Sequence, residues 1–292
     1  MKKTFSSKKS AFSLIELSIV LIIIGLLIAG ITGGASLIKS SELRSIMSEA
    51  KSYQVAVNSF YTQYDSYPGD TDISAGSISG YIGNRNNRIE YSVYDGKTIS
   101  TGVATAILEG VDAWQDLRDV GAIDLNLSIN PTSTIAFTPI TNIPGSKRKG
   151  AGWAFDYNIS SLQNVVVLTK TIGAIATLGA PTAATTLVNN HFDAGLGVAY
   201  ATNFPGGAAP SSNAPGSNKA SAAISAPDAF SIDSKVDDGK ANAGTVLAVN
   251  PSQTVSGTPN TYCSGNISTT YDKYVVANGT KEVCALSFSV NI

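Results

Sequence analysis

The sequence contains little of the material from which catalytic and metal centres are built. It has one histidine and two cysteines in 292 residues. A zinc centre needs three or four converging histidine, cysteine or acidic ligands, and a Ser-His-Asp triad would have to use His191. The composition therefore argues against most classes of enzyme.

Charge is also scarce, and its two signs balance. Charged residues make up 14% of the chain, against about 25% in ordinary soluble domains. Lys plus Arg number 20 and Asp plus Glu number 21, which argues against a broad basic surface for nucleic acid. We interpret the one basic cluster outside the N-terminal region, at 146–150, as a solvated loop. Its three cations would give only weak, salt-sensitive contacts with nucleic acid.

The N-terminal region combines a basic leader with a long apolar run. Residues 1–11 carry four lysines and no acid, and Leu17–Ile38 contains no charged residue. As a helix, this run would be roughly 33 Å long, close to a bilayer core of about 30 Å. By the positive-inside rule, the lysines stay in the cytoplasm and the chain after Lys39 is exported. The sequence therefore predicts a single membrane span.

An acid, Glu16, stands at the entrance of this apolar run. A carboxylate at the bilayer centre costs about 2.5–3.5 kcal/mol on insertion scales, and less near the interface. A cleaved secretory signal has an apolar core of only about 7–15 residues. A plain single-pass anchor fits the length but leaves Glu16 unexplained. A third interpretation accounts for the acid.

The run Ala11-Phe12-Ser13-Leu14-Ile15-Glu16-Leu17, followed by the Ile/Leu/Val stretch, resembles a known segment. It is similar to the cleavage and methylation segment of type IV pilins and type II secretion pseudopilins. The resemblance implies that a prepilin peptidase cuts between Ala11 and Phe12 and methylates the new Phe12 amine. Family members mostly have glycine before the cut, where this chain has Ala11.

Glu16 is then expected to act in subunit assembly. A carboxylate in a low-dielectric environment needs a positive partner. In a packed array of these helices, the Phe12 amine of one subunit can pair with Glu16 of another. Such a buried pair contributes more to register than to net stability.

The resemblance also implies a function, a location and partners. The chain would be a non-enzymatic filament subunit of a type IV pilus or a type II secretion pseudopilus. It would sit in the bacterial inner membrane with its head in the periplasm, and enter the filament on assembly. The implied partners are copies of itself, other pilins or pseudopilins, the prepilin peptidase, an inner-membrane platform protein and an assembly ATPase.

Helical periodicity continues beyond the predicted span. Apolar and aromatic residues recur at steps of three and four between Leu43 and Tyr64, as on one face of an amphipathic helix. No proline occurs before Pro68, and the run Tyr67-Pro68-Gly69-Asp70 supplies turn chemistry. The pattern predicts one helix from about Phe12 to Tyr64, roughly 80 Å long.

The rest of the chain predicts a second helix and short strands. Ala113–Ile123 resembles the Trp-containing helix of some large pilin-like proteins, and it predicts a core helix with Trp114, Leu117 and Val120 facing inward. Trp153–Ile159 alternates apolar and polar residues, and Asn164–Thr169 is rich in valine, so both predict strands. The stretch 204–227 is rich in Gly, Pro, Ala and Ser and is interpreted as an exposed loop.

The predicted fold is α+β and pilin-like, with a long N-terminal helix packed on an antiparallel β-sheet head. The predicted parts are a leader (1–11), a transmembrane half of the helix (12–38), an amphipathic half (39–66) and a globular head (67–292). The two cysteines, Cys263 and Cys284, form a disulfide in an exported domain; two buried free thiols are the alternative. Type IV pilins have a similar C-terminal disulfide loop.

Three acids, Asp233, Asp237 and Asp238, fall within six residues. Calcium needs six to eight oxygen ligands, and these carboxylates offer some of them. Pseudopilins of the major class hold calcium in a C-terminal loop. The spacing is not that of an EF-hand, however, and Asp-Gly before a strand is a common turn signal. We favour the turn over the metal, and expect no other cofactor.

Two other functional classes remain open at this point. The large head and the stretch 204–227 would suit a minor or tip pilin that binds a surface, a secreted substrate or DNA. An exported enzyme on an uncleaved anchor is the other option, against which the scarcity of histidine and cysteine argues.

Overall fold

A computed structural model describes residues 13–71, 85, 87–89, 109–125, 139–141, 143–158, 163–170, 222–249, 263 and 273–291. The leader, Ala11, Phe12 and His191 lie outside these residues. The elements are helices α1 (Leu14–Tyr64), α2 (Glu109–Asp119) and α3 (Ala226–Val236), a short 3₁₀ helix (Val276–Asn278), and strands β1 (Gly152–Asn158), β2 (Gln163–Thr169), β3 (Ile224–Ser225), β4 (Val246–Val249) and β5 (Glu282–Ser289).

The chain divides into two compact units, Met1–Leu43 and Arg44–Ile292. Helix α1 supplies the described part of the first unit and also begins the second. It is 51 residues long and ends where Asp65 takes a left-handed φ of 53°. The predicted end of the helix at Tyr64, ahead of the proline-glycine turn, is confirmed.

The strands form one antiparallel sheet with β5 at its centre. Strand β1 pairs with β2, and β2 pairs with the C-terminal half of β5. Strands β3 and β4 both pair with β5 as well. The strands predicted at 153–159 and 164–169 are β1 and β2, each displaced by no more than one residue at either end. Together with α1, this sheet gives the chain its α+β, pilin-like architecture.

An aromatic cluster joins the C-terminal half of α1 to the sheet and to α2. The Tyr53 ring lies 4.9 Å from that of Trp114 and 5.8 Å from that of Trp153, centroid to centroid. The Trp114 ring in turn lies 4.1 Å from Phe155, and Trp153 lies 5.6 Å from Phe288. Both tryptophans of the chain are therefore buried in the second unit, where their fluorescence reports its folding.

The inward face predicted for α2 is right at two of three positions. Trp114 and Leu117 are fully buried. Val120 is only half-buried and lies outside the helix, so that part of the prediction is wrong. The helix ends at Asp119 because Gly121 turns the chain with a φ of 74°, and the amides of the next two residues bond back to the Leu117 carbonyl.

The loop predicted at 204–227 is wrong at its C-terminal end, and its first part lies outside the described residues. Strand β3 and the start of α3 fall within it, and Ile224 and Ala226 are fully buried. Ser225 is the N-cap of α3 and accepts a hydrogen bond from the Asp228 amide at 3.4 Å. Pro227 fits the first turn of the helix, where no amide donor is needed.

Candidate functional site

The first half of α1 exposes apolar side chains on all its sides. From Leu14 to Ile38 every leucine, isoleucine and valine is at least 45% exposed. The most apolar 18-residue window of this helix has no buried residue, and by length and composition the helix can cross a membrane. Exposed apolar surface on this scale needs a lipid or protein environment.

Glu16 caps the first turn of this helix. Its Oε2 accepts a hydrogen bond from the Ser13 amide at 2.9 Å, and the Ser13 hydroxyl accepts one from the Ile15 amide at 3.4 Å. This is a capping box, in which a serine and a glutamate three residues later each accept a hydrogen bond from a backbone amide at the start of the helix. The Ser-x-x-Glu spacing that signals it was present in the sequence. The carboxylate thus has a role within its own chain as well as the predicted one between chains.

Further along α1, Glu49 ties the helix to the segment that leads into the sheet. Its Oε2 accepts hydrogen bonds from the Ser146 hydroxyl at 2.7 Å and the Trp153 indole at 2.8 Å. Its Oε1 accepts one from the Lys147 amide at 2.8 Å. Burial raises the pKa of the neighbouring Tyr53, and the Glu49 charge raises it further. One half-buried carboxylate therefore holds three donors that are about 100 residues away in sequence.

We expect Glu49→Ala to lower the free energy of unfolding by about 2–4 kcal/mol. A hydrogen bond to a charged group contributes about 1.5–3 kcal/mol, and water can replace the carboxylate at Ser146 and Lys147, which are not fully buried. The Trp153 indole would also lose its acceptor. Guanidinium unfolding of the full chain in detergent, followed by tryptophan fluorescence, measures the loss. Glu49→Gln is the matched control: it keeps an oxygen acceptor and should lose clearly less. Equal stability of the alanine variant and the unmodified chain would contradict this assignment.

The basic cluster at 146–150 is only partly the solvated loop that its composition predicts. Lys147 and Lys149 are exposed, but Arg148 is not. Its Nη2 contacts Glu282 Oε1 at 2.9 Å, and its Nε donates to the Ala223 carbonyl at 2.9 Å. Burial alone would raise the pKa of Glu282, but the hydrogen bonds from Lys170 and Arg148 hold it below its usual value. Arg148 therefore links β5 to the residue before β3.

The predicted disulfide between Cys263 and Cys284 is present, with Cα atoms 4.7 Å apart. Neither cysteine is a free thiol, and both are fully buried. Cys284 lies in the central strand β5. The Cys263 carbonyl accepts a hydrogen bond from the Val275 amide at 2.8 Å. The bond therefore holds the segment before the 3₁₀ helix against the middle of the sheet.

The structure brings the three predicted acids at the end of α3 together: one carboxylate oxygen from each lies within 4.8 Å of the others. All three already accept hydrogen bonds. Asp233 accepts from the Tyr274 hydroxyl at 2.8 Å and the Gly239 amide at 3.2 Å, and Asp238 accepts from the Lys240 amide. Burial raises the pKa of Asp233 to about 6, against the lowering effect of its donors.

The third acid of this group, Asp237, closes the turn between α3 and β4. Its Oδ2 accepts from the amide and the hydroxyl of Thr245 and from the Val246 amide. Gly244 has a φ of +90°, and a side chain there would overlap the Asp237 carboxylate. These contacts account for the clustering of the acids as a turn, without requiring a cation.

Sequence reasoning did not single out a second set of acids, on α2. Burial raises the pKa of Asp112 to about 7, and the charges of Asp116 and Asp119 add to the shift. Burial also raises the pKa of Asp116 to about 6, although the Gly69 amide donates to it and lowers it. Their helical spacing is visible in the sequence, but nothing there shows that they are buried.

Residues 6–32 match the family model of the prokaryotic N-terminal methylation motif. The matched residues include Ala11, Phe12 and Glu16. No curated protein and no solved structure matches the chain significantly. The chain therefore carries a prepilin-type N-terminal signal, followed by a long apolar helix and an antiparallel sheet.

Proposed function

We propose that the chain is a structural filament subunit, a prepilin of a type IV pilus or a type II secretion pseudopilus, and not an enzyme. The proposal rests on two features that follow each other directly in the chain. The methylation motif at 6–32 runs directly into a helix whose first half exposes only apolar and small side chains apart from Glu16 and a few hydroxyls. A simple anchor would need the second feature but not the first.

The side chains of the apolar helix stay out of water at every stage of the proposed assembly. Each large aliphatic side chain contributes about 1.5–3 kcal/mol when it is removed from water. Before assembly the bilayer covers these side chains, and in the filament the helices of other copies replace the lipid. The chain is anchored in the inner membrane with its head in the periplasm until then. Other pilins or pseudopilins, a platform protein and a cytoplasmic ATPase would take part in the transfer.

Cleavage between Ala11 and Phe12 and methylation of the Phe12 amine are part of the proposal. We expect mass spectrometry of protein from sheared filaments to show a chain that begins at Phe12 and carries one added methyl group. Ala11→Gly should be processed at least as fully, because the residue before the cut must be small. Ala11→Leu should accumulate as the full-length chain. Filaments built from chains that still begin at Met1 would contradict the proposal.

A minor or tip subunit that binds a surface, a secreted substrate or DNA is the second candidate function. The size of the second unit, Arg44–Ile292, favours it, because a subunit that only packs in a filament needs no head of this length. The copy number in sheared filaments separates the two candidates. Many copies along each filament indicate the major subunit, and a few copies indicate the tip.

A further inference from the structure

One face of α2 carries a set of oxygen ligands that is buried in the second unit. Asp112, Gln115, Asp116 and Asp119 have the spacing i, i+3, i+4 and i+7, which places them on one side of a helix. The first three are only 7%, 2% and 3% exposed. Asp119 lies at the exposed edge of the same face and pairs with its neighbour Arg118 at 2.9 Å.

Among the described residues, few donors reach the oxygens on this face. Asp116 Oδ2 accepts from the Gly69 amide at 2.8 Å. The Gln115 Oε1 atom is buried and has no hydrogen-bond partner. Within the part of the chain that the structure describes, no hydrogen bond or ion pair reaches Asp112. A buried acceptor without a donor is destabilising, and a buried charge without one is more so.

We infer that this face of α2 binds one calcium-type divalent cation through the carboxylates of Asp112 and Asp116 and the amide oxygen of Gln115. All three ligands are oxygens, which hard cations prefer, and none is the nitrogen or sulfur that zinc favours. The two carboxylates balance the charge of one divalent cation. Water molecules would complete a coordination shell of six to eight oxygens.

The cation would give Gln115 and Asp112 the partner that the protein does not supply. It would also hold Asp116 in the position from which this residue accepts a hydrogen bond from the Gly69 amide. Helix α2 would thereby stabilise the turn after α1. The acids at the end of α3 differ in this respect, because donors from the protein already satisfy them. The inference does not depend on the proposed function, since the site belongs to the isolated chain.

Thermal unfolding of the full chain in detergent at pH 8 tests the inference, with tryptophan fluorescence as the readout. We expect 1 mM CaCl₂ to raise the Tm over that in EGTA by about 5–10 °C, the shift expected when the ion is about 100-fold above its Kd. Isothermal titration should count one calcium ion per chain. An unchanged Tm together with no heat of binding would overturn the inference.

Isosteric variants locate the ion. Asp112→Asn should be more stable than the unmodified chain in EGTA, because it removes the charge repulsion, and should no longer respond to calcium. Gln115→Leu replaces the side-chain amide, with its unpartnered oxygen, by an apolar group of similar size. It should weaken calcium binding about tenfold even if the Asp112 variant fails to fold. Asp238→Asn, in the other acidic group, should respond like the unmodified chain. A response lost in Asp238→Asn but kept in Asp112→Asn and Gln115→Leu would place the ion at α3 and overturn the inference.

Discussion

Replacing Glu16 with leucine is expected to leave the chain in the membrane and to stop filament growth. Insertion depends on the apolar run Leu17–Ile38, which the substitution leaves intact. In the proposed filament, the Phe12 amine of a neighbouring subunit would lose its only partner. Burying an uncompensated charge costs about 3–5 kcal/mol, which corresponds to a drop of roughly 150- to 4,000-fold in the equilibrium for adding a subunit. The yield of sheared filaments, measured beside the amount of chain in the membrane fraction, checks this.

The capping box at the start of α1 makes a second variant necessary. Glu16 accepts the Ser13 amide within its own helix, so Glu16→Leu removes a cap as well as a charge. Glutamine also serves in a capping box, so Glu16→Gln keeps the cap and removes only the charge. We expect it to fail in assembly as fully as the leucine variant. Normal filaments from Glu16→Gln would show that the cap is what assembly needs, and the pairing hypothesis would be wrong.

The parts of the fold that follow from local periodicity could be predicted closely. Helix α1 ends at the predicted residue, because its apolar steps of three and four stop where Pro68 and Gly69 begin a turn. Strands β1 and β2 lie where alternating and valine-rich runs place them. Such patterns depend only on neighbouring residues, so one sequence contains enough information to find them.

Contacts between distant residues could not be predicted in the same way. Glu49 and Trp153 are 104 residues apart, and no spacing rule connects a helix acid to a particular indole. The start of α3 was missed for another reason. The Gly, Pro, Ala and Ser content of 204–227 indicated a loop, and it hid the N-cap serine and the first-turn proline of a helix at its end.

The same distinction between local patterns and distant contacts applies to the candidate sites. The disulfide could be predicted because a chain with two cysteines offers only one intramolecular pairing, and the predicted export would favour its formation. The meeting of Asp233, Asp237 and Asp238 follows from their closeness in sequence, whereas the donors that satisfy them come from Tyr274 and Thr245. The ligand set on α2 has a readable spacing, but its burial depends on the packing of the whole second unit.

Removing the disulfide is expected to cost the second unit about 3 kcal/mol of unfolding free energy. The bond closes a loop of 21 residues, and constraining the unfolded chain over that length contributes about this much. The Cys263→Ala/Cys284→Ala double variant avoids leaving a reactive thiol. For a unit of this size the loss corresponds to a fall in Tm of about 6–12 °C. Unfolding of the full chain in detergent, followed through Trp114 and Trp153, measures it.

Reduction separates the effect of the cross-link from that of packing. A reducing agent should lower the Tm of the unmodified chain to nearly that of the double variant, and should leave the double variant unchanged. Each single alanine variant should lose almost as much as the double one, because either substitution breaks the bond. Single losses that instead add up to the double loss would mean that buried contacts of the two side chains, and not the bond, stabilise β5. Since β5 pairs with β2, β3 and β4, the packing of these two side chains would then help to hold all three of those strands in the sheet.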